Sequence, residues 1–228
     1  MKQAALLFDL DGTLVDSLGD LAMAANALLA ELGRAPLTDN VIAAMIGDGV
    51  PTLVERVLAA SGGPAPSGTA PVARFAALYE ADATRLTRPY PGVAGGLAEL
   101  AAAGVPLAVC TNKLERVARQ VLDRLGLGAF FPLVLGGDSL PFRKPDPRFL
   151  LAALDRLRAA PAHAAMVGDH RNDVLAAQSG GLKAIFARYG YGTASLGAVQ
   201  PDAVIERFTD LPHALQVIWP GAARPIPL

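Results

Sequence analysis

Short apolar runs alternate with segments of helical spacing along most of the chain. Five runs, and a weaker sixth, predict strands at residues 4–8, 105–110, 133–135, 164–167, 184–187 and 203–205. Between them, apolar residues three and four positions apart predict helices at 93–103, 115–125, 147–157 and 173–179. Strands that alternate with helices predict an α/β fold, an open, Rossmann-like parallel sheet with helices on both faces. Such sheets bind ligands where their strands end, so the informative residues should follow the apolar runs.

The long segment between the first and second strands does not follow this alternation. Its pattern is helical throughout, with predicted helices at 18–32, 39–46, 52–60 and 72–86 and a flexible link at 61–68. We therefore expect an α/β core domain from residues 1–15 and 89–228, and an inserted all-helical cap domain from residues 16–88. An insertion that leaves and rejoins the core beside the first strand is placed to cover a site there. The last residues, 221–228, are expected to be loose.

Composition narrows the class of protein. The 228 residues can bury a substantial core, and a formal charge of −1 without a dense basic block predicts no nucleic-acid partner. No apolar run reaches the roughly 18 residues of a membrane span, so we expect no membrane partner. The first nine residues lack the features of a secretory signal, which predicts a cytoplasmic protein. The single cysteine, Cys110, lies in an apolar run and is expected to be an inert buried thiol.

Two acids, Asp9 and Asp11, follow the first predicted strand, with Gly12 next in the chain. Because side chains alternate along a strand, the two carboxylates should leave its end on the same side. Carboxylates that close repel each other, and a cation or a proton would relieve the repulsion. The pair favours metal-assisted phosphoryl chemistry. An Asp-Gly turn with both acids solvated is equally compatible with this segment alone.

Polar residues also follow the later strands. Thr111 and Asn112 offer a hydroxyl and backbone N–H groups at a helix start, either as a seat for an anion or as ordinary helix caps. Lys144 lies in a proline-rich loop that limits its freedom, although this loop alone favours a solvated lysine. Asp169 and Asp173 share a face at the start of a helix, where the alternative is capping. The recurrence of such groups at strand ends favours a functional site.

Taken together, these segments resemble the haloacid dehalogenase-like (HAD) hydrolases that carry a helical cap after the first motif. The four motifs of that family occur in order, at residues 9–13, 111–112, 144–145 and 168–173. Within the family the chain is similar to phosphoglycolate phosphatases, at residues 88–92, 110–113, 136–145 and 189–192. The resemblance covers nearly the whole chain.

The resemblance implies roles for the acids. Asp9 would attack phosphorus and form an aspartyl-phosphate, while Asp11 would act first as the acid and then as the base. The cofactor would be Mg²⁺, bound by Asp9, the backbone carbonyl of Asp11 and Asp169, with Asp173 supporting these ligands from behind. Dehalogenation is disfavoured, because the dehalogenases lack an acid at the position of Asp11.

The resemblance also implies substrate-binding residues. Thr111, the Asn112 backbone and Lys144 would hold the phosphoryl oxygens. Gly47 and Gly49, a Gly-x-Gly within the predicted cap, would face the substrate, although a plain turn between helices is an equal alternative.

Four other residues carry expectations about specificity or metal binding. Asp48 would repel a substrate carboxylate, so its side chain is expected to point away from the substrate. Arg56 and Lys113 are candidate partners for such a carboxylate. His170 stands where the family commonly has a small residue, and we expect a loop variant that does not bind metal.

The resulting hypothesis is a magnesium-dependent phosphatase for a small phosphate monoester, preferably 2-phosphoglycolate, which acts as a monomer or a homodimer. One alternative is a phosphatase for a sugar or amino-sugar phosphate. Others are a phosphomutase of the same fold and a non-catalytic phosphate-binding protein. Intact acids and lysine argue against the last.

Overall fold

The computed structural model describes residues 4–63 and 70–220. The strands are β1 Ala5–Phe8, β2 Val15–Asp16, β3 Arg88–Pro89, β4 Leu107–Cys110, β5 Leu133–Leu135, β6 Ala164–Gly168, β7 Lys183–Ala187 and β8 Ala203–Ile205. The α-helices are α1 Leu18–Glu31, α2 Asp39–Ala43, α3 Val50–Ala60, α4 Ala70–Asp82, α5 Val93–Ala102, α6 Glu115–Arg124, α7 Pro147–Leu157, α8 Arg171–Ser179 and α9 Leu211–Ile218.

The main sheet has six strands in the order β5-β4-β1-β6-β7-β8. Each neighbouring pair is parallel, which confirms the predicted open parallel sheet. β1 lies near the middle, with Leu7 opposite Ala108 on one side and Met166 on the other. The chain order reverses across β1, and in sheets of this kind ligands bind outside the strand ends at such a point.

Helices cover both faces of this sheet. Leu6 and Phe8 of β1 belong to the apolar cluster that also includes buried side chains of α5, α6 and α9. Ala5 and Leu7 point the other way, into a second cluster with α7 and α8. A strand buried on both faces needs apolar residues at every position, so these strands were recognisable as continuous apolar runs.

The four helices α1 to α4 form the segment between β2 and β3. The two short strands pair antiparallel, with Val15 opposite Pro89 and Asp16 opposite Arg88. Our predicted domain boundaries at residues 16 and 88 are therefore next to each other in space. The inward stripe of α1 follows the predicted helical spacing, and its buried apolar residues are Leu21, Ala22, Ala24, Ala25, Leu28 and Leu29.

Two predicted helices of this segment end three and four residues earlier in the structure. The helix predicted at 39–46 ends at Ala43, and Gly47 and Gly49 follow with φ angles of 120° and 91°, which no α-helix accommodates. The helix predicted at 72–86 ends at Asp82. Beyond it the Leu86 and Thr87 N–H groups donate to the Asp20 carboxylate, at 2.9 and 2.8 Å, and not to helix carbonyls.

Several sequence expectations concern single features. Most of the predicted link at 61–68 and the tail at 221–228 lie outside the described residues. Within the described residues, none of the helices combines the length and the apolar character that crossing a membrane requires. Cys110 is buried, and burial raises the pKa of its thiol to about 12, which leaves almost no thiolate at neutral pH.

Candidate active site

Three carboxylates meet at the ends of β1 and β6. Oxygens of Asp9, Asp169 and Asp173 lie within 4.8 Å of one another, and all three residues are buried. β1 and β6 are neighbours in the sheet, and the Asp9 N–H donates to the Val167 carbonyl at 2.9 Å. The residues that follow each strand are therefore held side by side. Asp173 belongs to this cluster together with Asp9 and Asp169.

Lys144 lies among these acids. Its Nζ is 2.6 Å from Asp173 Oδ1 and 3.0 Å from Asp9 Oδ2, and its side chain is 1% exposed. Burial lowers the pKa of Lys144, but the charges of Asp173 and Asp9 outweigh burial and raise it above its ordinary value. The solvated lysine that the loop sequence alone favours is therefore wrong: Lys144 is a buried cation beside Asp9.

One lysine does not balance the three carboxylates. Burial, together with the charges of Asp9 and Asp173, raises the pKa of Asp169 from 3.8 to about 8. Burial likewise raises the pKa of Asp9 to about 6, although Lys144 opposes the shift. Fully ionised, the cluster carries two negative charges in excess of Lys144. A hard divalent cation would balance them, and carboxylate oxygens are the ligands such a cation prefers.

Asp169 is held in place from two sides. Thr13 Oγ1 donates to Asp169 Oδ1 at 3.1 Å, and the N–H groups of Tyr191 and Gly192 donate to Oδ2 at 2.8 and 3.1 Å. Gly12 passes so close that a Cβ there would lie 2.3 Å from Asp169 Oδ2, and its φ is +81°. The glycine after the two acids is thus required both for the turn and for the space that the metal-ligand candidate occupies.

Asp11 has different partners from Asp9. Lys113 Nζ lies 2.9 Å from both carboxylate oxygens of Asp11, and Ser17 Oγ donates to Oδ1 at 2.6 Å. Lys113 also donates to the Tyr79 hydroxyl at 2.8 Å. Asp9 and Asp11 both line a cleft between the strand ends and the helical insertion, whose walls also include Lys113 and Tyr79. Asp9 is paired with Lys144, whereas Asp11 is paired with Lys113.

Thr111 and Asn112 follow β4 and line the same cleft. Neither caps the next helix, because the residue that precedes α6 is Leu114, without a side-chain cap hydrogen bond. The Asn112 side chain instead donates to two carbonyls, those of Gly47 at 2.9 Å and Lys144 at 3.0 Å. It therefore connects two loops. One is the segment 47–49 between α2 and α3, here called the glycine loop, and the other carries Lys144.

The glycine loop closes over the cleft. Gly47 and Gly49 both line it, whereas Asp48 does not. The Asp48 carboxylate accepts from Asn172 Nδ2 at 2.7 Å and pairs with Arg56 at 2.6 Å. Arg56 is thereby engaged outside the cleft. Of the two cations that the sequence offered as partners for a substrate carboxylate, only Lys113 is a cleft residue.

Some residues that build the site were not singled out in the sequence. Tyr79 lies on the buried side of α4, where its spacing is that of an ordinary core residue. Ser17 directly precedes α1 and belongs to no motif. Tyr191 belongs to the segment 189–192 that carries the family resemblance. Its hydroxyl accepts from the Ser17 N–H at 2.7 Å and so satisfies a donor at the start of α1.

The haloacid dehalogenase-like hydrolase model matches residues 6–187, a range that contains all of the carboxylates and lysines described above. The chain belongs to this family. It is 42% identical over 222 residues to the phosphoglycolate phosphatase of Neisseria meningitidis, with 93% of each chain covered. It is 43% identical over 229 residues to the phosphoglycolate phosphatase of Rhodospirillum rubrum, with 96% of this chain and 94% of the relative covered.

A solved structure shows the same fold. The crystal structure of a predicted phosphoglycolate phosphatase from Haemophilus somnus 129PT matches with a TM-score of 0.89 and 30% sequence identity. The match covers 95% of this chain and 99% of that one. The family, the fold and the similarity to phosphoglycolate phosphatases are thus confirmed.

In this HAD-like hydrolase the residue after Asp169 is His170, which caps α8. Its Nδ1 accepts from the Asn172 N–H at 3.3 Å, and the His170 N–H donates to Asp173 Oδ2 at 3.0 Å. Asp173 therefore caps the helix with one oxygen and binds Lys144 with the other, so the capping and functional interpretations both apply to it. A Cβ at Gly47 would lie 2.5 Å from His170 Cδ2, which makes the imidazole part of the support for the glycine loop.

Proposed function

We propose that this chain hydrolyses 2-phosphoglycolate to glycolate and inorganic phosphate, with Asp9 as the nucleophile. It is a phosphoric monoester hydrolase of the HAD-like family, and its phosphoglycolate phosphatase relatives cover almost its whole length. The observation that carries the proposal is the buried cluster of three carboxylates with Lys144 beside Asp9 at the end of β1. The cluster supports the proposal because the proposed nucleophile, a paired cation and the proposed metal ligands lie side by side where β1 and β6 end.

Mg²⁺ is the proposed cofactor. Asp9, the backbone carbonyl of Asp11 and Asp169 would hold it, while Asp173 would hold Lys144. When bound, Mg²⁺ neutralises the carboxylates and the phosphate oxygens, whose repulsion otherwise opposes the approach of substrate. When all three carboxylates are ionised, their excess of two negative charges over Lys144 matches the charge of a divalent ion and supports this cofactor.

In the first step, an Asp9 oxygen attacks phosphorus in line with the ester bond. The new bond joins Asp9 to phosphorus, the ester P–O bond breaks, and Asp11 gives its proton to the departing glycolate oxygen. Thr111, the Asn112 backbone and Lys144 hold the other phosphoryl oxygens, where charge stabilisation supplies most of the catalysis. Lys144, at 3.0 Å from Asp9, is close enough to contact both the nucleophile and the phosphoryl group.

In the second step, water hydrolyses the aspartyl-phosphate. Asp11 takes a proton from the water, the water oxygen bonds to phosphorus, and the bond between phosphorus and Asp9 breaks to release phosphate. We propose that residues 16–88 act as a cap domain that covers the cleft during both steps and excludes bulk water. The contacts of the Gly47–Gly49 loop with Asn112 and Asn172 support this role.

The test is phosphate release from 2-phosphoglycolate and from a panel of sugar phosphates, with Mg²⁺ and with a chelator. We expect kcat/KM to favour 2-phosphoglycolate by about a hundredfold, and the chelator to abolish turnover. Equal rates across the panel would instead indicate a general phosphatase, and isomerised sugar phosphates a phosphomutase. No release from any monoester would contradict the proposal.

The remaining expectations concern assembly and location. We propose a monomer or a homodimer whose partner is a small phosphate monoester, and not a nucleic acid or a membrane, and which works in the cytoplasm. Light scattering during gel filtration measures the assembly, and a larger oligomer would contradict this expectation.

A further inference from the structure

Lys113 is a buried cation that the proposed chemistry does not yet use. Its side chain is 4% exposed, and its Nζ is bonded to both oxygens of Asp11 and to the Tyr79 hydroxyl. Lys113 and Asp11 come from the sheet side of the cleft, whereas Tyr79 comes from α4 of the insertion. The three groups thus meet where the insertion faces the strand ends.

Lys113 is the one positively charged residue among the described residues that line this cleft. The opposite wall is apolar and includes Leu21, Leu53 and Phe75. An anionic group on a substrate in this cleft, other than its phosphate, has no other lining cation to pair with, and burying it unpaired would cost several kcal/mol.

The contact between Lys113 and Asp11 conflicts with the proposed role of Asp11. Lys113 occupies both oxygens of Asp11, and Ser17 donates to one of them as well. Asp11 needs an oxygen free of Lys113 to hold the proton that it then passes to the leaving oxygen of the substrate. A group that competes for the Lys113 ammonium would provide one.

The Tyr79 hydroxyl adds a second donor at the same place. It accepts a hydrogen bond from Lys113 and donates to no residue in the described parts of the chain. Tyr79 is buried, and its phenol stays protonated because burial raises its pKa above the ordinary value. Its O–H is thus available to an acceptor that arrives in the cleft.

We propose that Lys113 and Tyr79 bind the carboxylate of the substrate, and that this carboxylate replaces Asp11 as the acceptor of Lys113. The exchange leaves Asp11 to serve the leaving oxygen. Because Asp11 must reach both Lys113 and that oxygen, the carboxylate has to lie close to the ester oxygen. The substrate class is therefore phosphate monoesters of short 2-hydroxy acids, of which 2-phosphoglycolate is the smallest. This inference rests on the proposed function.

The experiment compares 2-phosphoglycolate with ethyl phosphate, which also has two carbons but carries a methyl group in place of the carboxylate. The measured quantity is the ratio of their kcat/KM values in the wild type and in Lys113→Met, Tyr79→Phe and Lys183→Met. We expect the ratio to fall about 100-fold in Lys113→Met, which removes a buried charged donor. In Tyr79→Phe, which removes a neutral donor, it should fall about 10-fold. Lys183 is a half-exposed lysine paired with Asp202, and its variant should keep the wild-type ratio.

Inhibition by glycolate gives a readout independent of turnover. Glycolate carries the carboxylate without the phosphate, so its inhibition constant should rise at least tenfold in Lys113→Met and severalfold in Tyr79→Phe. Inhibition by inorganic phosphate should change less than glycolate inhibition. Thermal unfolding checks that each variant folds; if Lys113→Met does not, Tyr79→Phe, which removes one hydroxyl, decides.

Two results would overturn the inference and are distinguishable from each other. If the variants slow both substrates by the same factor and leave glycolate inhibition unchanged, Lys113 and Tyr79 do not bind the carboxylate, while the phosphatase function stands. If the wild type itself shows no preference for 2-phosphoglycolate over ethyl phosphate, the proposed substrate is wrong and the inference falls with it.

Discussion

Lys144 Nζ lies 3.0 Å from Asp9 Oδ2, in an ion pair whose side chains are 1% and 9% exposed. The pair joins the loop before α7 to the end of β1. It holds the carboxylate in one orientation and places a positive charge where a phosphoryl group would approach. The same contact therefore serves both the fold and the proposed chemistry, and each contribution can be measured.

Replacing Asp9, the proposed nucleophile, should abolish turnover without unfolding the protein. In Asp9→Asn the amide keeps the size of the carboxylate but cannot form an acyl phosphate, so we expect kcat with 2-phosphoglycolate to fall by at least about 10⁴-fold. Phosphate release and acid-quenched phosphoenzyme are the measurements. Asp202→Asn, at the exposed ion pair with Lys183, is the matched control and should be fully active. Near-native activity of Asp9→Asn would disprove the assignment.

Replacing Asp11 should separate the two steps. A p-nitrophenolate leaving group needs little protonation, so Asp11→Asn should still form the aspartyl-phosphate from p-nitrophenyl phosphate and then hydrolyse it about 10²- to 10⁴-fold more slowly. Rapid mixing should show a burst of one p-nitrophenol per chain. After acid quench, Asp9 should carry the phosphoryl group. A linear release at the wild-type rate would show that Asp11 is not the base.

Removing the buried lysine should destabilise the fold. Lys144→Met leaves Asp9 and Asp173 without their cation, at a cost of about 3–5 kcal/mol in the free energy of unfolding. Lys183→Met removes a half-exposed lysine paired at 2.6 Å with Asp202 and should cost at most about 1 kcal/mol. Urea unfolding in the presence of a chelator measures both. Equal losses would mean that burial adds nothing to the Lys144 pairs.

The acidic cluster should make stability depend on pH in a metal-sensitive way. The pKa of Asp169 is raised from 3.8 to about 8 in the folded state, so folding binds a proton between these values. The bound proton stabilises the folded state. Its contribution to the free energy of unfolding is complete below about pH 4 and is lost as the pH rises to about 8. With a chelator, wild type should therefore lose stability from pH 5 to pH 8 relative to Asp169→Asn. Mg²⁺ should reduce this difference in stability between wild type and Asp169→Asn. If the stability of the two proteins depends on pH in the same way, the prediction is wrong.

The lone thiol should be unreactive in the folded protein. Burial raises the pKa of Cys110 to about 12, so at pH 8 only about one thiol in 10⁴ is ionised, and it is enclosed by the sheet. A disulfide reagent such as dithionitrobenzoate should detect no thiol in buffer and one per chain in guanidinium. Fast reaction under native conditions would show that the β4 end opens readily.

The pattern of apolar positions determined most of the fold. Burial on both faces requires strands that are apolar throughout, and helices packed on a sheet require a spacing of three and four, so both are legible in the chain. The acids that follow β1 and β6 were predictable for the same reason, because parallel strands end at one edge. The C-terminal ends of α2 and α4 were not predictable in this way. Positive φ angles at Gly47 and Gly49 follow α2, and hydrogen bonds to the Asp20 carboxylate follow α4, and neither is part of the apolar pattern.

Tertiary structure alone decided which charge pairs with which. From the sequence, Lys144 and a solvated loop lysine look alike, and so do Tyr79 and any core residue of α4. Which partner each group contacts depends on how segments far apart in the chain pack together. Local periodicity describes only residues within one element, so it carries no information about these contacts. The sequence placed the acids at the strand ends. Packing paired Asp9 with Lys144, paired Asp11 with Lys113, and brought Tyr79 of the insertion to the same ammonium.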